Sequence, residues 1–196
     1  KTITDQGKMT EGLQAKLDNA TTINELEDIY LPYKPKRKTK AQTARESGLE
    51  PLSDFLLQQA DAKVEEIAAT YLNENVKTIE EALQGARDII AEKVNEDAEV
   101  RAEMRHLFEK EARLISKVLS GKEAEAIKYK DYFDYSELVS KVPSHRALAV
   151  LRGFMEGFLR MSIEPEETTA IDLLENRFIK GISTEGGQVK KALRDA

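Results

Sequence analysis

Residues 78–95 read TIEEALQGARDIIAEKVN, and their apolar side chains recur at helical spacing. The apolar positions that share one helix face are Ile79, Ala82, Leu83, Ala86, Ile89, Ile90 and Val94. Thr78, followed by Glu81, matches a capping box, in which a hydroxyl and a carboxylate satisfy the first free amides of a helix. The stretch therefore predicts a long helix with one core-facing side.

The same spacing extends through most of the chain. It predicts helices near residues 9–18, 22–30, 40–47, 51–60, 62–73, 78–95, 97–120, 134–141, 145–156 and 167–180. Residues 157–163 read GFLRMSI and depart from this rhythm, which indicates a short strand whose partner is expected outside this sequence. The fold class predicted is all-α, a multi-helix array with at most one or two short strands near 157–164.

The amino-acid composition excludes several kinds of functional site. The absence of cysteine among 196 residues excludes disulfides, thiolate zinc sites and cysteine nucleophiles. With only two histidines, we expect no metal site and no cofactor. No apolar run approaches the length that spans a bilayer, so we expect a cytoplasmic chain with no membrane partner. Because the chain opens at Lys1 in what reads as the tail of a helix, we expect it to be cut from a longer protein.

The net charge is -6, from 36 acidic and 30 basic residues, so any nucleic-acid contact must be local. The strongest local signal is the basic loop, residues 34–40, which contains Lys34, Lys36, Arg37, Lys38 and Lys40. Prolines before and within it prevent a helix and hold the charges on an extended segment. Such a loop can lie along a phosphate backbone, or it can be a solubilising loop or pair with an acidic neighbour.

Two further segments allow a functional and a structural interpretation. Residues 129–135 read YKDYFDY, and aromatic side chains beside cations can stack on unpaired bases, although we favour a packing role. Residues 143–152 place Ser144 as an N-cap, with His145 and Arg146 in the first helical turn and Arg152 two turns later. Such a helix start can bind an anion, although capping is the simpler interpretation.

No enzyme chemistry is visible in the sequence. Ser144 beside His145 is not a catalytic dyad, because a triad needs a base and an orienting acid brought together in space. We find no carboxylate pair whose environments would separate their pKa values and no glycine-rich phosphate cradle. We therefore predict a non-catalytic chain with no catalytic residues and no small-molecule substrate.

Five separated motifs together resemble a known family. They are residues 27–39 (EDIYLPYKPKRKT), 44–52 (ARESGLEPL), 86–89 (ARDI), 130–135 (KDYFDY) and 143–148 (PSHRAL). In order and spacing they resemble the amino-terminal helical region of Tex proteins, bacterial transcription accessory factors, over about residues 3–160. Beyond about residue 164 the resemblance is loose.

The resemblance implies the following domains and function. Residues 1–160 would be the Tex-type helical region with a helix-turn-helix-like unit. Residues 161–196 would be a helical extension leading to a YqgF-type RNase H-like domain, and a helix-hairpin-helix unit and an OB-fold RNA-binding domain would follow. The chain would be a scaffold that associates weakly with RNA or DNA. Candidate contacts are Lys34, Lys36, Arg37, Lys38, Lys40, Arg45, Ser144, His145, Arg146 and Arg152.

The alternative is a protein-interaction module that docks on RNA polymerase, on ribosome-associated proteins or on the protein's own later domains. One departure from the family pattern bears on both hypotheses. After Arg152 and Gly153 the family usually continues with a polar pair, often Arg-Asn, where this chain has Phe154 and Met155. The change removes a cation that could help the 145–156 helix to bind an anion.

Overall fold

The structure is a computed structural model that describes residues 2–34, 38–60 and 62–196. Over these residues the chain is mostly helical, as the sequence predicted, and it also contains one small three-stranded sheet. The helices are α1 (Thr2–Asp5), α2 (Glu11–Asn19), α3 (Ile23–Tyr30), α4 (Lys40–Glu46), α5 (Glu50–Gln58), α6 (Val64–Ala69), α7 (Ile79–Glu96), α8 (Ala98–Glu111), α9 (Ser144–Met155), α10 (Glu167–Phe178) and α11 (Thr184–Asp195). The strands are β1 (Arg113–Val118), β2 (Asp134–Leu138) and β3 (Leu159–Glu164).

The chain divides into two compact units, which we describe separately. The helical unit comprises residues 1–102 and 173–196, and the sheet unit comprises residues 103–172. The division at residue 160 that the resemblance implied concerns the domains of a longer protein and stays a prediction.

Helix α7 lies at the centre of the helical unit, where α4, α5, α6 and α11 pack against it. The predicted capping box forms, since the Glu81 amide donates to the Thr78 hydroxyl over 3.2 Å and the Thr78 amide donates to Glu81. Ile89 and Ile90 are completely buried, and each such burial stabilises the fold by about 1.5–3 kcal/mol. A Cβ at Gly85 would lie 2.4 Å from Cδ1 of Leu49, so a larger residue there would force the buried Leu49 side chain to move.

The sheet unit corrects two predicted helices. The helix expected over 97–120 ends at Glu111 and is followed by β1, and the helix expected over 134–141 is β2. The apolar residues of β1 are compatible with both a helical and a strand spacing. In the structure Leu114 and Ser116 are buried while their neighbours are more exposed, and this two-residue repeat is that of a strand. Pairing on both sides decides the outcome, because β1 is the central strand of an antiparallel sheet with the order β2-β1-β3.

The predicted strand near 157–164 is confirmed as β3, but the expectation about its partner was wrong. Its partner is β1 of the same chain, with Ser116 opposite Met161. Helix α9 packs on β3, and its residues Val150 and Gly153 are buried. A Cβ at Gly153 would lie 2.5 Å from Cδ1 of Leu159, so glycine permits this close approach.

The aromatic segment packs as favoured from the sequence. Tyr129 is buried, its ring centroid lies 6.1 Å from that of Phe158, and the rings of Tyr132 and Tyr135 meet edge to face at 5.3 Å. These contacts lie within the sheet unit and give the aromatic residues a structural role.

Candidate nucleic-acid interface

The described part of the basic loop is exposed. Lys34 follows a single 3-10 turn at Leu31–Tyr33, while Lys38 and Lys40 lie at the start of α4, and all three side chains are exposed. Lys36 and Arg37 lie outside the described residues, so their candidacy stays a prediction.

The basic loop borders a groove in the helical unit, which we name the basic groove. Its volume is about 370 Å³, and its lining residues are Lys8, Pro32, Lys34, Lys38, Thr39, Gln42, Arg45, Glu92 and Glu96. Lys8 was not among the sequence candidates, because nothing in its local sequence distinguishes it from other exposed lysines. The Gln6 side-chain amide donates to the Tyr33 carbonyl over 2.9 Å and so links the segment before Lys8 to the loop.

Arg45 lines this groove, but its guanidinium group is engaged by carboxylates of the same chain. Its guanidinium group pairs with the Glu92 carboxylate of α7, and its Nε lies 3.5 Å from Oε1 of Glu50. The Thr39 hydroxyl also donates to Glu92, over 2.9 Å. These contacts join α4 to α7 and partly neutralise Arg45, so Arg45 is a weaker candidate for binding phosphate than the exposed lysines.

The lysines around the basic groove have fewer ion-pair partners than Arg45. Nζ of Lys38 lies 2.7 Å from the Glu46 carboxylate, and both side chains are largely exposed, so this ion pair is weak and easily exchanged. The hydrogen bond from Lys38 lowers the pKa of Glu46. Neither Lys8 nor Lys34 nor Lys40 forms an ion pair with a residue that the structure describes.

The second candidate cluster lies in the sheet unit, at the start of α9. The prediction that Ser144 is the N-cap was wrong, because Pro143 occupies that position in an extended conformation and provides no side-chain cap. Ser144 is instead the first helical residue, and its side chain, like that of His145, is exposed. The amide of Arg146 donates to the Pro143 carbonyl over 2.9 Å as the helix begins.

Arg146 is connected to the neighbouring strand. Its Nη1 lies 3.1 Å from the Glu137 carboxylate of β2, which also accepts a hydrogen bond from the Tyr135 hydroxyl. The Tyr135 hydrogen bond, followed by the one from Arg146, lowers the pKa of Glu137, while burial and then Glu137 raise the pKa of Tyr135. Arg146 therefore helps to hold α9 against β2, whereas Arg152 is exposed.

The candidates are thus divided between the two units. Lys34, Lys38, Lys40 and Arg45 belong to the helical unit, and the four candidates between 144 and 152 belong to the sheet unit. Whether any of them contacts nucleic acid stays a prediction.

Buried charges in the described residues have structural partners. Asp28 lies 2.6 Å from Nε of Arg101, and Arg87 pairs with Glu80 at 2.5 Å. The Glu185 carboxylate accepts the Ala62 amide over 2.7 Å. Among residues 2–34, 38–60 and 62–196, no three histidine, aspartate or glutamate side chains come together as metal ligands, and none of the helices has the length and apolarity to cross a bilayer.

Comparison with protein families identifies the chain. Residues 59–194 match the family model described as Tex central region-like. The chain belongs to the Tex family. This confirms the resemblance to Tex proteins, and the match to the family model extends well beyond residue 164, past the last of the five motifs.

Several Tex relatives are similar over most of this chain. Transcriptional accessory protein Tex of Neisseria gonorrhoeae is 48% identical over 170 residues, and protein YhgF of Escherichia coli is 46% identical over 168. These alignments cover 86% and 85% of this chain but only 22% of each relative. S1 RNA-binding domain-containing protein 1 of Homo sapiens is 30% identical over 161 residues, or 77% of this chain and 16% of that protein. The chain therefore spans about a fifth of the bacterial relatives.

Proposed function

We propose that this Tex chain is a non-catalytic helical scaffold of a cytoplasmic transcription accessory protein, and that it contacts the backbone of RNA or DNA through the basic groove. The observation that carries this proposal is the meeting of three exposed lysines at one groove. Lys34 and Lys38 belong to the basic loop, Lys8 comes from a separate point of the sequence, and all three line the same groove in a chain whose net charge is -6.

The charge balance of the groove supports an anionic ligand. Glu92 is engaged by Arg45 and by the Thr39 hydroxyl, so its negative charge is partly offset within the fold. The ion pair of Lys38 with Glu46 is at the surface, and a phosphate can exchange with it at little cost. Lysines that bind phosphate release counterions, and this release supplies most of the affinity of non-specific nucleic-acid binding.

The groove would hold the backbone without reading the sequence. Its described lining contains lysine, arginine, glutamate, threonine, glutamine and proline side chains but no aromatic ring on which a base could stack. We therefore expect weak binding with little sequence preference, in which the groove positions a strand that other parts of a longer protein would recognise.

The names of the relatives support a role near nucleic acid. One relative is called a transcriptional accessory protein and another an S1 RNA-binding domain-containing protein. A non-catalytic role is supported by the internal pairing of the buried charged groups Asp28, Arg87 and Glu185, which leaves them committed to the fold.

The test is an electrophoretic mobility-shift titration of this chain with single- and double-stranded DNA and RNA across a salt series. We expect Lys8→Ala combined with Lys34→Ala to weaken binding and to reduce the slope of log affinity against log salt by about 0.7–0.9 for each phosphate that is no longer neutralised. Lys77→Ala is the matched control, because Lys77 is exposed in the same unit but does not line the groove.

An unchanged salt slope in the double variant would show that the basic groove does not bind the nucleic acid. Binding of an acidic peptide but of no nucleic acid would instead favour an acidic protein partner for the same lysines. Variants with alanine at Lys36, Arg37 and Lys38 test the remainder of the basic loop in the same assay.

A further inference from the structure

Helix α9 presents apolar side chains on the side that faces away from the sheet. Leu148 is 61% exposed, Leu151 39% and Met155 77%. These residues are three, four and seven positions apart, so they share one helix face. We name them the α9 stripe. The opposite face of α9, which contains the buried residues Val150 and Gly153, packs against β3, so the stripe lies on the side of the helix away from the sheet.

Exposed apolar side chains that are contiguous on one element usually mark an interaction surface. Phe154, which is 46% exposed, adds a partly accessible ring at the carboxyl end of the helix. Methionine and phenylalanine are enriched at protein interfaces, and methionine adapts its shape to different partners. The composition of the α9 stripe therefore fits a binding surface better than a solvated one.

Arg152 places a positive charge beside the α9 stripe, one turn from Leu148 and from Met155. Glu156 is the acid nearest to the stripe on the helix, and Nζ of Lys128 lies 2.6 Å from its carboxylate. The hydrogen bond from Lys128 and, more weakly, the charge of Arg152 lower the pKa of Glu156. A ligand of this face therefore meets an apolar surface with the Arg152 cation at its border.

We propose that the α9 stripe docks an amphipathic α-helix of a protein partner, whose apolar side is bordered by carboxylates. The stripe extends over about two helical turns, which is enough for one short helix to pack along it. The apolar residues would supply the buried area, and the interaction of Arg152 with a partner carboxylate would set the orientation. This inference does not depend on the proposed nucleic-acid role, because it concerns different residues in the other unit.

Two other occupants fit the same surface less well. A second copy of this chain, packed symmetrically through α9, would bring Arg152 close to its own equivalent, and like charges are disfavoured at an interface. Single-stranded nucleic acid binds through several aromatic platforms beside cations, whereas Leu148, Leu151 and Met155 have no ring and Phe154 adds a single, partly accessible one.

The test uses a fluorescently labelled amphipathic helical peptide with a leucine stripe bordered by glutamates, titrated with the whole chain and followed by anisotropy. We expect saturable binding that weakens about tenfold or more in the double variant Leu148→Gln with Met155→Gln. Glutamine keeps the helix propensity and the side-chain length while removing the apolar surface. Arg152→Glu is expected to weaken binding of this peptide and to strengthen binding of a peptide bordered by lysines instead.

Ile182→Gln is the matched control, because Ile182 is fully exposed and lies outside α9. Its binding should equal that of the unmodified chain, and circular dichroism should show that all variants remain folded. The proposal is overturned if neither peptide binds, or if the double variant binds as well as the control. It is also overturned if the double variant dissociates a dimer seen by sedimentation, or removes oligonucleotide binding.

Discussion

Helices α7 and α9 are both amphipathic, yet the structure uses them in different ways. Helix α7 has 18 residues, starts with a capping box and buries apolar residues along its whole length. Helix α9 has 12 residues, starts at Pro143 without a side-chain cap and buries only Val150 and Gly153. Four helices of the same chain pack on α7, whereas the chain covers α9 on the side of β3 and of the 3-10 segment Ile127–Tyr132.

This difference shows that an apolar helix face predicts a contact, but does not predict whether the partner belongs to the same chain. For α7 the partners are other helices of the helical unit, so its apolar residues stabilise the fold. For α9 part of the apolar surface is exposed, so those residues contribute little to folding and remain accessible for binding. Substitutions at matched positions of the two helices should therefore have different effects.

The largest difference is expected between Ile89→Ala and Leu148→Ala. Ile89 is completely buried on α7, and its truncation leaves a cavity that should lower the free energy of unfolding by about 2–5 kcal/mol. Leu148 is mostly exposed on α9, and its truncation should change that free energy by no more than about 0.5 kcal/mol. Urea titration followed by far-UV circular dichroism measures both. Similar losses for the two variants would mean that the α9 stripe is part of a core.

A smaller effect is expected at the start of α11, a helix that packs on α7. Glu185, in the first turn of α11, is fully buried and accepts the Ala62 amide. Burial raises its pKa, but the hydrogen bonds from the amides of Ala62 and Glu185 and from the hydroxyls of Thr184 and Ser183 outweigh burial, so the net pKa is lowered. Glu185→Gln weakens these bonds and should lower the free energy of unfolding by about 1–3 kcal/mol near neutral pH.

The lowered pKa of Glu185 also determines the pH dependence. A carboxyl group that binds its proton less tightly when folded adds stability above the ordinary glutamate pKa of about 4.3 and loses it as pH falls through the folded value. The unmodified chain should therefore lose stability on acidification below that point, and Glu185→Gln should lose less. Parallel stability curves for the two proteins would show that Glu185 does not titrate as inferred.

The sequence was sufficient for the parts of the fold that depend on local signals. The spacing in α7 and the Thr78 capping box were predicted from adjacent residues, and both formed. The sequence was insufficient for β1 and β2, because residues 113–118 fit a helical or a strand period and only the partner strands decide between them. Tertiary pairing overrides local preference in such segments.

The candidate site shows the same limit. The basic loop was visible because its charges are adjacent in sequence, but Lys8 joins it only through the fold. The partners of Arg45 on α7 and of Arg146 on β2 also could not be predicted, because each lies on another element. For α9, the helix itself was predicted from the sequence, but the exposure of its apolar residues depends on which side of the helix meets β3.

The smallest effects are expected at the starts of the two helices. The Thr78 hydroxyl accepts the Glu81 amide at the start of α7, so Thr78→Ala should lower the free energy of unfolding by about 1 kcal/mol. Ser144 is exposed, and Pro143 rather than Ser144 occupies the N-cap of α9. Ser144→Ala should therefore change the free energy of unfolding by less than about 0.5 kcal/mol. Thermal and urea unfolding of the two variants provide the measurement.

Thr22→Ala is a useful third variant, because Thr22 forms a capping box with Glu25 on α3, a helix with few buried residues. If the loss depends on the hydroxyl hydrogen bond alone, Thr22→Ala and Thr78→Ala should be similar. If it depends on the packing that the cap supports, the loss should be larger for Thr78, since α7 is the helix on which the others pack. A loss at Ser144 as large as at Thr78 would mean that α9 is capped in solution by the residue that the sequence first indicated.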